Sequence, residues 1–133
     1  MDIFGRELRG AERAMDGLTR RMEAVAQNLA NVHTPGYKRR DVHFEDSLAQ
    51  VLDQMEVPVD PERSERPEDP AYLLEQWQPR LEVQDRLSQR LDGNGVVLEK
   101  EVSEASQAAL RFNVLATSVA GDYRDLKFVI DAK

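Results

Sequence analysis

The sequence predicts a mainly α fold, with long N- and C-terminal heptad helices that pack as a coiled coil and an irregular, in part extended, middle segment between them. Three observations predict it. Apolar residues recur at alternating four- and three-residue spacings at both ends of the chain, and proline and acidic residues crowd the stretch between. Only 6% of the 133 residues are aromatic while 32% are charged, a balance that solvates helices and leaves a thin core. The length suits one unit, since domains hold about 100 to 200 residues. Three segments are expected within it: an N-terminal helix over 1–33, a turn motif and acidic middle over 34–95, and a C-terminal helix over 96–133.

In the first helix the apolar positions are Phe4, Leu8, Ala11, Met15, Leu18, Met22, Val25, Leu29 and Val32, a heptad seam. Leu8, Met15, Leu18, Met22, Val25 and Leu29 are the expected packing residues. About thirty residues of helix reach roughly 45 Å, so this one needs a partner along its whole length. The remaining faces carry Arg6, Arg9, Arg13, Arg20 and Glu23 and read as solvated or interfacial. Asp16 precedes Arg20 by four residues, the favourable order for a helical ion pair.

The helix must stop before Pro35, which disfavours the helical region for Thr34. Pro35-Gly36 suits the centre of a type II turn, with Gly36 at positive φ. Asn28 and Asn31 fall in the last helical turns, where their amides can bond free carbonyls or a partner's backbone and so set register.

In the middle, Pro58, Pro61, Pro67, Pro70 and Pro79 lie among Asp60, Glu62, Glu65, Glu68 and Asp69, so regular helix is not expected there. Residues 56–71 read as a mobile or extended acidic loop, and Tyr72 to Trp77 as an apolar anchor. The alternation over Arg80 to Gln84 fits either an extended stretch or a short helix. Asp92-Gly93-Asn94-Gly95 provides a turn in which Asn94 is placed to N-cap a helix starting near residue 96. The second seam follows: Leu98, Val102, Ala105, Ala109, Phe112, Ala116, Val119, Tyr123, Leu126 and Ile130. Val102, Phe112, Val119, Tyr123, Leu126 and Ile130 are its expected packing residues, and the alanines let a neighbouring backbone approach.

The net charge is -7, from 18 Lys and Arg against 25 Asp and Glu, which argues against nucleic acid as a partner. With no cysteine, disulfides, thiolate metal sites and cysteine nucleophiles are excluded. His33 and His43 have no helical register and no third ligand, so no metal site is expected. Glu99, Glu101 and Glu104 read as solvated charge, Gly93 and Gly95 as a turn and not a phosphate loop. No catalytic residue, cofactor or small-molecule substrate is expected. The first twenty residues contain no apolar run of the kind a cleaved signal peptide needs, and no stretch is apolar for eighteen residues, so the chain is expected to be soluble before assembly.

Certain residues carry a resemblance. The run Gln27-Asn28-Leu29-Ala30-Asn31, then Thr34-Pro35-Gly36-Tyr37-Lys38, then Arg40-Asp41-Val42 and Phe44 resembles the flagellar basal-body rod protein family, most closely its proximal-rod members. The likeness is strong over residues 15–50 and looser at Asp92-Gly93-Asn94 and Ala109-Leu110-Arg111-Phe112. Val32-His33 departs from the usual alanine followed by an acidic residue. The resemblance marks Asn28, Asn31, Thr34, Pro35, Gly36 and Tyr37 as an assembly motif. It implies a structural subunit of the rod that links the membrane ring to the rest of the axial structure and transmits torque through helix packing. Its implied partners are other rod subunits and itself, the membrane ring protein and the export apparatus. Its implied route is flagellar type III export to the periplasmic rod without a cleaved signal. On this reading Tyr37-Lys38-Arg39-Arg40 contacts an acidic neighbouring subunit or the ring, and the terminal helices are poorly ordered in the isolated chain. The alternatives are another rod or hook-family axial subunit, or a small helical secretion chaperone, which would form a discrete dimer.

Overall fold

A computed structural model describes residues 3–55, 70–84 and 90–132. The acidic loop expected at 56–71 lies outside them except for its last two positions, as does the side chain of Phe4. The elements in chain order are α1 (Ile3–Ala30), β1 (Arg40–His43), α2 (Glu45–Gln54), α3 (Pro70–Gln76), β2 (Arg80–Val83) and α4 (Leu98–Asp131). The chain is mainly α, with long helices at both ends and a short irregular middle holding two small strands.

α1 and α4 lie side by side and antiparallel: Asn28, late in α1, bonds Glu101, early in α4, while Tyr123, late in α4, bonds Glu12, early in α1. At about 1.5 Å per residue the helices are roughly 42 and 51 Å long, and packing along that length supplies the stability that helix propensity alone does not. Leu18 and Val25 are buried, with Leu8, Met15, Met22 and Leu29 half-buried.

α1 carries a second stripe that the heptad reading passed over. Gly10, Gly17 and Ala24 recur every seven residues, and the middle segment lies on them. A Cβ on Gly17 would stand 2.6 Å from the Phe44 ring, and one on Gly10 would stand 3.2 Å from a Leu52 methyl. Glycine inside a helix costs about 1 kcal/mol against alanine. At Gly17 that cost admits an aromatic ring to the helix backbone. Phe44, Leu48, Leu74 and Trp77 pack there with Leu18, Ala24, Val42 and Ala108 as a core cluster of buried residues.

α2 was not foreseen. Glu45 and Asp46 complement its N-terminal dipole, and Leu48 is its buried position. α3 corrects the expectation that proline excludes helix here. Pro70 opens the helix, where its missing N–H would have had no partner in any case. The apolar anchor docks within the chain: Leu74 and Trp77 are buried, Trp77 meets Phe44 edge-on with centroids 6.3 Å apart, and its indole Nε1 donates to Ser47 Oγ at 3.1 Å. Of the two conformations open to Arg80–Gln84, the extended one forms, with β2 antiparallel to β1 and Asp41 opposite Glu82.

The face that α4 turns inward is rotated from the predicted seam. Glu101 and Ala108 are buried and Ala105, Phe112, Leu115 and Val119 half-buried, whereas Leu98, Val102 and Ala109 are exposed. Apolar residues at 110, 114 and 115 let the same stretch fit two adjacent heptad phases. A buried ion pair at Glu101 selects between them.

Candidate assembly site

The corner where α1 ends, β1 begins and α4 starts is built almost entirely from polar groups, all of them satisfied. Asn28 has no solvent exposure. Its Nδ2 donates to Arg40 O at 2.7 Å and to Glu101 Oε2 at 2.9 Å. Its Oδ1 accepts from Arg40 N at 2.9 Å and Tyr37 Oη at 3.4 Å. This uses both donors and both acceptor positions of the amide, and ties α1, the strand entry and α4 through one side chain. Asn31 acts locally: its Nδ2 donates to Gln27 O at 2.8 Å, and its Oδ1 accepts from Thr34 Oγ1 at 3.2 Å.

The predicted turn forms. Tyr37 N donates to Thr34 O at 3.3 Å and Gly36 has φ +70°. The 92–95 turn stacks against it, with Gly36 N donating to Asp92 O at 2.8 Å and Gly95 N to Tyr37 O at 2.9 Å. Gly93, at φ +73°, brings its own backbone so close that an added Cβ would lie 3.6 Å from Gly36 Cα.

Asn94 corrects its assigned role. The residue before α4 is Val97, with no side-chain cap. The buried Asn94 closes the other helix instead: its Nδ2 donates to the carbonyls of Asn31, Val32 and Thr34 at 2.8, 3.2 and 2.8 Å, groups that follow the end of α1 and have no helical donor of their own. Its Oδ1 accepts from Val96 N at 2.7 Å. The cap comes from about sixty residues downstream, so no local pattern announces it.

Arg39 and Glu101 are a second correction. Arg39 does not reach out to a neighbour, and Glu101 is not solvated. Arg39 is 3% exposed and Glu101 fully buried, joined Nε to Oε1 at 2.6 Å. The same guanidinium donates Nη1 to Asp41 Oδ2 at 2.6 Å and Nη2 to Glu104 Oε2 at 2.5 Å. Burial would lower the Arg39 pKa, but the hydrogen bonds and charges of Asp41 and Glu101 outweigh it and hold the group firmly protonated. Burial would raise Asp41, and the bond from Arg39 holds it below the usual carboxylate range. Glu45 is likewise pushed up by burial and held low by Arg21. Arg21 donates to Glu45 at 2.6 and 2.7 Å and to Val42 O at 2.7 Å, and lies 4.8 Å above the Phe44 ring. Sequence reasoning missed Arg21 and misplaced Arg39 and Glu101. The only hint was an arginine and a glutamate in otherwise ordinary charged runs.

Thr34, Pro35 and Gly36 are exposed at the tip of the corner, and Tyr37 is half-buried. Of the expected α4 residues, Phe112 and Val119 face inward, while Val102, Tyr123, Leu126 and Ile130 are exposed. Leu110, Val114, Phe128 and Val129 join them, each more than 60% exposed. His33 and His43 are both exposed. Among the described residues no cluster of His, Cys, Asp or Glu could hold a metal ion, and no helix is long and apolar enough to cross a membrane.

A helical hairpin locked at one corner, with a long apolar face left open on its second helix, is the form of a packing subunit. Residues 8–38, which take in most of α1 and the corner turn, match the family model described as "Flagella basal body rod protein". Over 138 residues the chain is 28% identical to the flagellar basal body rod protein FlgB of Escherichia coli strain K12, covering 99% of this chain and 98% of that one. It is 24% identical over 132 residues to FlgB of Bacillus subtilis strain 168, at 98% and 97% coverage. A 52-residue stretch is 40% identical to FlgB of Borrelia hermsii, covering 39% of this chain and 38% of that one. The family match and the near full-length likeness to these proteins support a flagellar rod protein, and a structural subunit of the rod. The chain is FlgB-like along nearly its full length.

Proposed function

We propose that this chain is a proximal-rod subunit that transmits torque by packing the exposed face of α4 against the terminal helices of neighbouring rod subunits, other copies of itself among them. The observation that carries this reading is the row of exposed apolar side chains on the side of α4 away from α1, Leu110, Val114 and Phe128. The neighbouring α1 offers it no cover, and a free monomer gains nothing from it. The corner supports the mechanical part. Torque passed through a helix pair is lost wherever the helices can slide, and sliding here would strip Arg39 and Asn28 of partners that burial prevents water from replacing.

On this reading residues 1–33 and 96–133 act as the rod helices, and 34–95 as the turn and outer segment that fix them. Asn28 and Asn31 with Thr34, Pro35, Gly36 and Tyr37 hold the helix end that neighbours meet. The membrane ring protein and the export apparatus are the partners at the inner end of the rod, reached by type III export without a cleaved signal. No catalysis is involved. Deleting the chromosomal copy and imaging purified basal bodies tests the placement. Loss of the rod beyond the membrane ring, with loss of swimming, is expected. Intact basal bodies with normal swimming would overturn it.

A further inference from the structure

The two edges of the small sheet are treated differently. Gln84 N donates to Arg39 O at 2.8 Å, and β1 pairs with β2 so that Asp41 faces Glu82. In an antiparallel ladder hydrogen-bonded pairs alternate, so the backbone groups of Arg40 and Val42 on β1, and of Leu81 and Val83 on β2, point away from the ladder. On β1 those groups are taken. Asn28 bonds both N and O of Arg40, Arg21 bonds Val42 O, and Asp41 bonds Val42 N. On β2 the outward groups of Leu81 and Val83 meet no partner among the described residues, and their side chains are 52% and 55% exposed. An open strand edge is a template for another strand.

We propose that β2 pairs with β2 of a second copy of this chain, antiparallel and centred on Leu81, joining the two small sheets into one of four strands. The charges choose both the occupant and the register. Centred on Leu81, the pairing sets Arg80 of each copy opposite Glu82 of the other, so opposite charges meet twice across the strands. Slipped by two residues, so that it centres on Glu82, it sets the two Glu82 side chains face to face, and that register repels itself. Leu81 then meets its own counterpart, and each Val83 N–H meets the carbonyl of Pro79, a residue with no N–H to leave stranded. The pair has a two-fold axis, whereas a rod grows by head-to-tail contacts that share no such axis. The pairing therefore belongs to the chain before incorporation and competes with it. The competition with incorporation rests on the rod reading; the pairing itself concerns the isolated chain.

Because the chain has no cysteine, Leu81→Cys, Glu82→Cys and Val83→Cys each place a single thiol in the full-length protein. Hydrogen-bonded partners across an antiparallel ladder have Cα atoms about 5.5 Å apart, within disulfide reach. Mild oxidation should cross-link Leu81→Cys fastest, with Glu82→Cys and Val83→Cys slower. Equal rates, or fastest linkage through Glu82→Cys, would overturn the proposal. In sedimentation equilibrium Arg80→Glu and Glu82→Arg should each weaken self-association about tenfold, and a mixture of the two variants should restore it. Self-association unchanged by either variant, or no rescue on mixing, would also overturn it.

Discussion

The corner and the outer face of α4 lie on the same helix and follow opposite rules. At the corner, an asparagine, an arginine and a glutamate are taken out of water and every polar atom is answered within the chain. Along the outer face, large apolar side chains are left in water with nothing over them. Buried charge costs several kcal/mol per ion unless its partners are in place, so the corner has one working geometry and enforces it. Exposed apolar surface costs little locally and gains when another helix arrives. The difference teaches that this subunit determines its own shape at one place and leaves its associations to another, so substitutions should separate the two.

The sharpest break is at Glu101. Glu101→Ala removes one of the three carboxylates on the buried Arg39 and a partner of Asn28 Nδ2, and should destabilise the chain by about 2–4 kcal/mol in urea unfolding, an effect that an exposed glutamate would not show. Asn28→Ala removes four hydrogen bonds and strands the Arg40 backbone, at about 2–4 kcal/mol. A loss under about 0.5 kcal/mol in either variant would mean that water reaches the corner.

The two helix glycines sharpen the account of α1. Gly17→Ala drives a methyl into the Phe44 ring and should cost about 1–3 kcal/mol net of the gain in helix propensity. Gly10→Ala meets only the end of the Leu52 side chain, which can shift, and should stay within about 1 kcal/mol of the parent. Equal effects at the two positions would show that the middle segment does not rest on Gly17.

The pH dependence is the smallest effect. Asp41 and Glu45 have folded pKa values below their ordinary 3.8 and 4.5. Their contributions are therefore fully present above about pH 4.5 and fade as pH falls through the depressed folded values. Asp41→Asn and Glu45→Gln should each flatten this acid limb, seen as a shallower fall in urea midpoint below pH 4.5.

What the sequence made legible was local. The alternation of four and three located both long helices, and Pro35-Gly36 located the turn, because each signal lies within a few residues of its effect. Gly10 and Gly17 were invisible because a heptad reading counts large apolar residues and treats glycine as a gap. The partners of Asn94 and Glu101 lie some sixty residues away, so a capping rule applied locally gave Asn94 the wrong helix and a charge rule gave Glu101 the wrong environment. The rotation of α4 followed from the same blindness, since its apolar pattern allows two phases and the choice is made by Arg39.

The most direct measurement pairs Leu110→Asp with Val114→Asp on the outer face of α4 and reads both fold and assembly. The purified double variant should unfold within about 1 kcal/mol of the parent, as exposed substitutions do, while basal bodies from cells carrying it should lack the rod. Intact rods in those cells, with the variant present at normal levels, would contradict the assignment of this face to assembly.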